Sequence, residues 1–233
     1  MLQINYKNLK LMAHSTQLNK IMKKIQIAAI LAIIVAGVAI NFAFLNKVAQ
    51  DPKGYAIGDV VADFKLKNVD GQMMSLAESK TSKGAIIVFT SNHCPFSKAY
   101  EDRIIDLDKK FDAQGFPVIA INPNDPTAYD EDSFENMKIR AKEKKYAFPY
   151  LSDDSQVVTK AFGATRTPTV YVLKREGEKM TVQYIGAIDN NSQDIASVSK
   201  RYVDEAVSNI LAGKPVVTNF TKSVGCAIRW KGL

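Results

Sequence analysis

Cysteine, histidine and tryptophan are scarce in this 233-residue chain, which holds two, two and one of them. Two cysteines are too few for a small disulfide-stapled scaffold. The histidines are His14, close to the N-terminus, and His93. His93 and the adjacent Cys94 give two candidate ligands against the four of a structural zinc site, so no metal is expected. A Cys-x-x-Cys-His haem attachment site and a Gly-rich phosphate loop are both missing from the sequence, and no cofactor is expected. Acid is absent from the first 50 residues, which contain six lysines; the first acid is Asp51. The formal charge of +7 therefore belongs to this leader, because residues 51–233 carry 25 basic residues against 24 acids. That balance excludes a basic nucleic-acid-binding domain. What remains is 46% hydrophobic and 24% charged, an ordinary globular composition with enough chain for a core.

The leader has its own pattern. Ile25 to Leu45 is an uncharged run of 21 residues, preceded by Lys20, Lys23 and Lys24. A helix of that length spans roughly 30 Å, the thickness of a bilayer core. Positive charge stays on the cytoplasmic side, so the chain beyond about residue 46 is expected to be exported to a periplasm or cell envelope. The segment serves either as an uncleaved membrane anchor or as a cleaved signal. Met22-Lys23-Lys24 before the apolar run has the form of a signal-peptide start, which makes Met22 a second candidate initiator. The expected organisation is a signal or anchor over 1–45, a polar linker over 46–57, one α/β domain over 58–215 and a tail over 216–233.

Within the domain, Asp63 to Leu66 alternates polar and apolar residues before an Asp70-Gly71 turn, which predicts a hairpin. Ala85–Phe89 and Pro117–Ile121 are continuous apolar runs that read as buried central strands. Between them a helical period begins at Pro95 and stops at Gly115. Further helices are predicted from Asp132-Ser133 to Lys145, from Ser155 to Phe162 and from Asp194 to Leu211. Thr169–Leu173 and Thr181–Ile185 read as two strands of a hairpin. Asp130-Glu131-Asp132 reads as a solvated helix start. Asn122-Pro123-Asn124-Asp125-Pro126 reads as a plain turn or as a rim of the active site. The tail's Trp230 is expected to pack it onto the domain.

Cys94 lies between a predicted strand and a helix that opens on Pro95. Proline suits the first helical position, so the thiol falls at the helix N-terminus, where free N–H groups favour negative charge. Lys98 one turn on and His93 alongside add positive potential, and Ser97 is placed to donate a hydrogen bond to a thiolate. All of these favour the reactive ionised form; the alternative is a buried, inert cysteine. Pro168, just ahead of a strong strand, is a candidate cis proline.

A reactive cysteine between strand and helix, with a later Thr167-Pro168 before a strand, resembles the thioredoxin fold. Ala62-Asp63-Phe64, Asp70-Gly71 and Ser75-Leu76 resemble the redoxin, or alkyl hydroperoxide reductase, family. Asn92-His93-Cys94-Pro95-Phe96, Gly163-Ala164-Thr165-Arg166-Thr167-Pro168 and the tail Val224-Gly225-Cys226-Ala227-Ile228-Arg229-Trp230-Lys231 resemble peroxiredoxin-like members of the thioredoxin superfamily. The likeness runs from about Gly58 to Lys231. It implies a central mixed sheet flanked by helices, with an N-terminal hairpin. It also implies thiol–disulfide chemistry at Cys94, a substrate groove shaped by Thr167 and Pro168, and an external reductant. Protein thiols, protein disulfides or small oxidants would be the partners.

Two departures from the family limit the chemistry. The dithiol motif reads Cys94-Pro95-Phe96-Ser97, and serine cannot resolve a mixed disulfide. The peroxidatic cysteine of true peroxiredoxins aligns with Ser97, and their Pro-x-x-x-Thr-x-x-Cys signature is missing, since Ile87 stands seven residues before Cys94. Cys226 is the one remaining internal partner. It either resolves a disulfide formed at Cys94, or closes a structural clasp worth roughly 4–5 kcal/mol for so long a loop, or stays free. The leading functional expectation is an exported thiol–disulfide oxidoreductase. An atypical thiol peroxidase and a non-enzymatic envelope binding protein are the alternatives.

Overall fold

The computed structural model describes residues 54–78 and 82–232. The uncharged run over 25–45, and with it the expected anchor, lies outside them. Among the described residues no helix is long and apolar enough to cross a membrane.

Isoleucine, valine and phenylalanine fill β4 (Gly84–Phe89), which is buried along its whole length. Such a run cannot face water on either side, and it sits in the middle of a sheet ordered β1-β9-β8-β4-β5-β6-β2-β3. Its neighbour β5 (Val118–Asn122) runs parallel to it, and β6 (Tyr150–Ser152) runs parallel to β5. On the other side β8 (Thr169–Glu176) and β9 (Lys179–Gly186) form an antiparallel hairpin, edged by β1 (Val60–Val61). The N-terminal hairpin of β2 (Lys65–Asn68) and β3 (Met73–Ser75) closes the far edge by pairing β2 with β6.

The alternation of side chains along β4 sorts the core into two layers. Ile86 and Val88 face Ile104, Leu107 and Phe111 of α1 (Pro95–Phe111), Met137 of α2 (Phe134–Lys144) and Val203 and Val207 of α4 (Tyr202–Leu211). Ile87 and Phe89 face Phe64, Val158 and Phe162 of α3 (Val157–Phe162), and Ile228 of the tail. Each fully buried side chain of this size contributes roughly 1.5–3 kcal/mol. The expected mixed sheet, flanking helices and hairpin are all present.

Four strands were not predicted. β6 is three residues long, while β1, β7 (Arg166–Thr167) and β10 (Cys226–Ala227) have two each, too short for an alternating pattern to register. The closing helix begins at Tyr202 rather than Asp194. Asp194 instead caps a separate 3₁₀ turn over Ile195–Ser197, accepting from the N–H of Ala196 at 2.9 Å. Asn190 then holds the chain extended by accepting from the N–H groups of Ser199 and Lys200, each at 3.1 Å.

A covered thiol pair as the candidate active site

The end of β4 delivers the loop Thr90–Cys94 to one end of the sheet, where α1 begins. Pro95 takes the first helical position and Cys94 the N-cap, with extended backbone (φ −69°, ψ 121°). The Cys94 thiol is fully buried and donates a hydrogen bond to the Thr167 carbonyl at 3.2 Å. Thr167 precedes a cis peptide bond to Pro168, and its hydroxyl lies 3.0 Å from that of Ser91. The proline loop and the cysteine loop are thus joined both at the thiol and one turn behind it.

The C-terminal tail closes over this junction. β10 pairs antiparallel with β7, setting Cys226 directly across from Thr167 and Ala227 across from Arg166. Both cysteines are free thiols; Cys226 is half-buried. The tail passes so close that a Cβ on Gly225 would lie 2.0 Å from the Thr167 carbonyl oxygen. Glycine is the residue that permits this approach.

The two thiols ionise differently. Burial pushes Cys94 up, and the Thr167 carbonyl favours its protonated form. Against these, the Cys226 thiol and N–H and the Ser97 N–H and hydroxyl stabilise the thiolate, and the balance lies below the ordinary thiol value. Cys226 is pushed up to about 11, by burial first and then by the adjacent Cys94 sulfur. Of the two, Cys94 therefore loses its proton first. The Ser97 hydroxyl is buried and has no hydrogen-bond partner. Ionisation of Cys94 supplies it with an acceptor.

The other residues singled out in the sequence take varied places. Pro95 and Lys98 are exposed, and Lys98 is not among the groups that shift the thiol. His93 turns to Asp132, with Nδ1 2.5 Å from the carboxylate, and stacks on Tyr129 at 3.9 Å. It too is not among the groups that shift Cys94. Asp132 corrects the reading of Asp130-Glu131-Asp132 as a solvated helix start. Asp130 and Glu131 reach solvent, but Asp132 is 3% exposed. Besides His93 it binds the Asn92 N–H at 2.6 Å and the side-chain amides of Asn122 and Asn124 at 3.0 and 2.9 Å. A buried carboxylate persists because this many donors replace its water. Ser133, the next residue, is the actual cap of α2.

Asn122–Pro126 is more than a turn, since it receives the tail. Asn124 accepts from the Arg229 N–H at 2.9 Å, and the Asp125 N–H donates to the Arg229 carbonyl at 3.0 Å. Trp230 is partly buried against the core layer that holds Phe162. Gln156 escapes sequence reasoning altogether, and Asp132 reads there only as part of a solvated helix start. Two surface cavities, one lined by Lys83, Phe116 and Leu211 and one by Arg103, Ile188 and Asp204, contain neither cysteine.

Comparison with known proteins assigns the domain to a family. The AhpC/TSA family model matches residues 57–185. The thiol-disulfide oxidoreductase ResA of Oceanobacillus iheyensis is 29% identical over 155 residues, which is 65% of this chain and 76% of that protein. The chloroplastic peroxiredoxin Q of Gentiana triflora is 29% identical over 137 residues, 55% of this chain and 57% of that one. A hypothetical protein of Sinorhizobium meliloti 1021, known as a crystal structure, superposes with a TM-score of 0.71 at 34% identity, covering 77% of this chain and 97% of its own.

Proposed function

Because the chain belongs to the AhpC/TSA family, with a thioredoxin-like fold, we propose that it is a thiol–disulfide oxidoreductase whose redox centre is the pair Cys94 and Cys226. The observation that carries this is the placement of Cys226 directly across from Thr167, the residue whose carbonyl receives the Cys94 thiol hydrogen bond. It supplies the second thiol that Ser97 cannot.

Each step follows from thiolate chemistry. The Cys94 thiolate attacks one sulfur of a substrate disulfide; that bond breaks and the first substrate thiolate leaves. Cys226, losing its proton, then attacks the Cys94 sulfur and releases the second substrate thiolate. The substrate gains two electrons, and the protein retains a Cys94–Cys226 disulfide. The tail must lift for a protein disulfide to reach Cys94. An external dithiol regenerates the pair: its first thiolate attacks the half-exposed Cys226 sulfur and expels Cys94, whose lower pKa makes it the better leaving group, and its second thiol then displaces Cys226 and departs as a disulfide. The exchange is reversible, and the partner's potential sets its direction. Thr167 and Pro168 form the floor of the groove, and Ser97 stabilises the ionised sulfur. Export through the segment over 25–45 would place the pair in an oxidising compartment, where such a disulfide persists.

The test is disulfide exchange with a model protein disulfide. Cys226→Ser should stall as a mixed disulfide on Cys94, and Cys94→Ser should lose turnover. Full turnover in Cys94→Ser overturns the assignment. A Cys94 that forms sulfenic acid with peroxide yet ignores disulfides would establish the peroxidase alternative instead.

A further inference from the structure

Gln156 combines three features that nothing in the reaction so far requires. It is 1% exposed. It is one of two described non-glycine residues with left-handed backbone, at φ 58° and ψ 15°. Its side-chain amide makes three hydrogen bonds, two of them to the tail. Nε2 donates to the carbonyls of Pro123 and Arg229, both at 2.7 Å, and Oε1 accepts from the Lys231 N–H at 2.9 Å.

The left-handed conformation is disfavoured for a residue with a side chain, and glutamine has no local hydrogen bond that eases it as asparagine does. The surroundings impose it. The Gln156 N–H donates to the Asp153 carbonyl at 2.9 Å, and the buried Asp153 carboxylate binds the N–H and hydroxyl of Thr159 at 2.7 and 2.6 Å. This wraps the chain into the first turn of α3. Glycine would satisfy that backbone with less strain; glutamine adds only the amide clamp.

We propose that Gln156 is a positioning residue for the thiol pair, which clamps the backbone of Arg229 and Lys231 and thereby holds Cys226 in register against Cys94. This rests on the redox reading of the pair given above. The tail is also pinned before the cysteine, where the N–H of Thr221 donates to the Ile185 carbonyl at 3.0 Å. On the far side Ile228 donates to the Thr165 carbonyl at 3.0 Å, and the Gln156 and Asn124 amides then take both polar groups of the Arg229 backbone. Cys226 is thus a short span held at both ends, and Gln156 holds the end nearer the terminus.

Gln156→Gly separates clamp from strain, because glycine adopts φ 58° freely. Losing two tail hydrogen bonds should reduce the effective concentration of Cys226 at Cys94 by about tenfold, measured as the equilibrium of the intramolecular disulfide against glutathione. Glycine relieves the backbone strain but empties a buried site and leaves the Pro123 carbonyl without this donor, so the reduced variant should unfold at a lower temperature while staying folded under the assay conditions. Gln156→Asn, one methylene shorter, should not restore the disulfide equilibrium. A second readout needs no disulfide: the Cys94 thiolate, followed by absorbance at 240 nm, should appear at higher pH in Gln156→Gly as the Cys226 donors drift away. Wild-type effective concentration and wild-type titration in Gln156→Gly overturn the proposal. If wild-type protein forms no Cys94–Cys226 disulfide, the redox reading fails, and the titration alone decides whether Gln156 positions the thiol.

Discussion

Cys226 is the direct cross-strand neighbour of Thr167, the residue whose carbonyl receives the Cys94 thiol hydrogen bond. A two-residue strand at the end of a tail thereby brings together cysteines 132 positions apart in the sequence. The contact is made by backbone pairing, so it depends on the path of the tail more than on its side chains.

That dependence makes Gly225 a sensitive position. In Gly225→Ala the new methyl group would sit 2.0 Å from the Thr167 oxygen and 2.7 Å from its carbonyl carbon, both backbone atoms that cannot yield. The tail should shift outward. The rate of intramolecular disulfide formation should fall by about an order of magnitude, while urea unfolding of the reduced protein should change by less than about 1 kcal/mol, as is usual away from the core. Oxidation by glutathione disulfide with acid quenching measures the first effect and circular dichroism the second.

The asymmetry of the pair should appear as two separate proton losses. Cys94 ionises below the ordinary thiol range and Cys226 only near about 11. A titration at 240 nm on reduced protein should show two steps, and Cys226→Ala should remove the upper one and raise the lower. For stability the signs oppose. Cys94, depressed in the folded state, adds stability above the unfolded thiol pKa that is lost as pH falls through its folded value. Cys226, raised, adds stability at lower pH that is lost as pH rises toward about 11. Reduced protein should therefore weaken in alkali over the Cys226 window, and Cys226→Ala should weaken less there.

Asp132 should matter more for stability than for chemistry. Replacing it with alanine strands the Asn92 N–H and takes one acceptor each from the amides of Asn122 and Asn124, which keep only Tyr150 and His93, and from the His93 ring. Leaving buried donors unpaired costs about 1–3 kcal/mol each where water cannot enter, so a total loss of about 3 kcal/mol is expected, checked by urea unfolding. His93→Ala removes one of those partners and should cost less.

How far these features could be read in advance follows from how local they are. The strand Ala85–Phe89 and the start of α1 at Pro95 are written in consecutive residues, as are Cys94 at the helix entrance and the proline at 168. The role of Asp132 is set by amides from positions 92, 122 and 124, and an acid beside Asp130 and Glu131 looks solvated until those are brought in. Gln156 carries no motif, and its importance comes from a tail 73 residues onward. The late start of α4 follows from a competition between two kinds of turn after Asp194, which helical periodicity cannot weigh.

The clamp on the tail has a consequence for which substitutions the protein can absorb. Gln156 and Asn124 grip the main chain of Arg229 and Lys231, not their side chains. Positions 229 and 231 should accept nearly any residue except proline, whose missing N–H would release the clamp. Drift should be free at these two sites and confined at Gly225, Asn124 and Gln156. The last stretch of the chain can therefore vary its surface, and whatever docks there, without losing the thiol it carries.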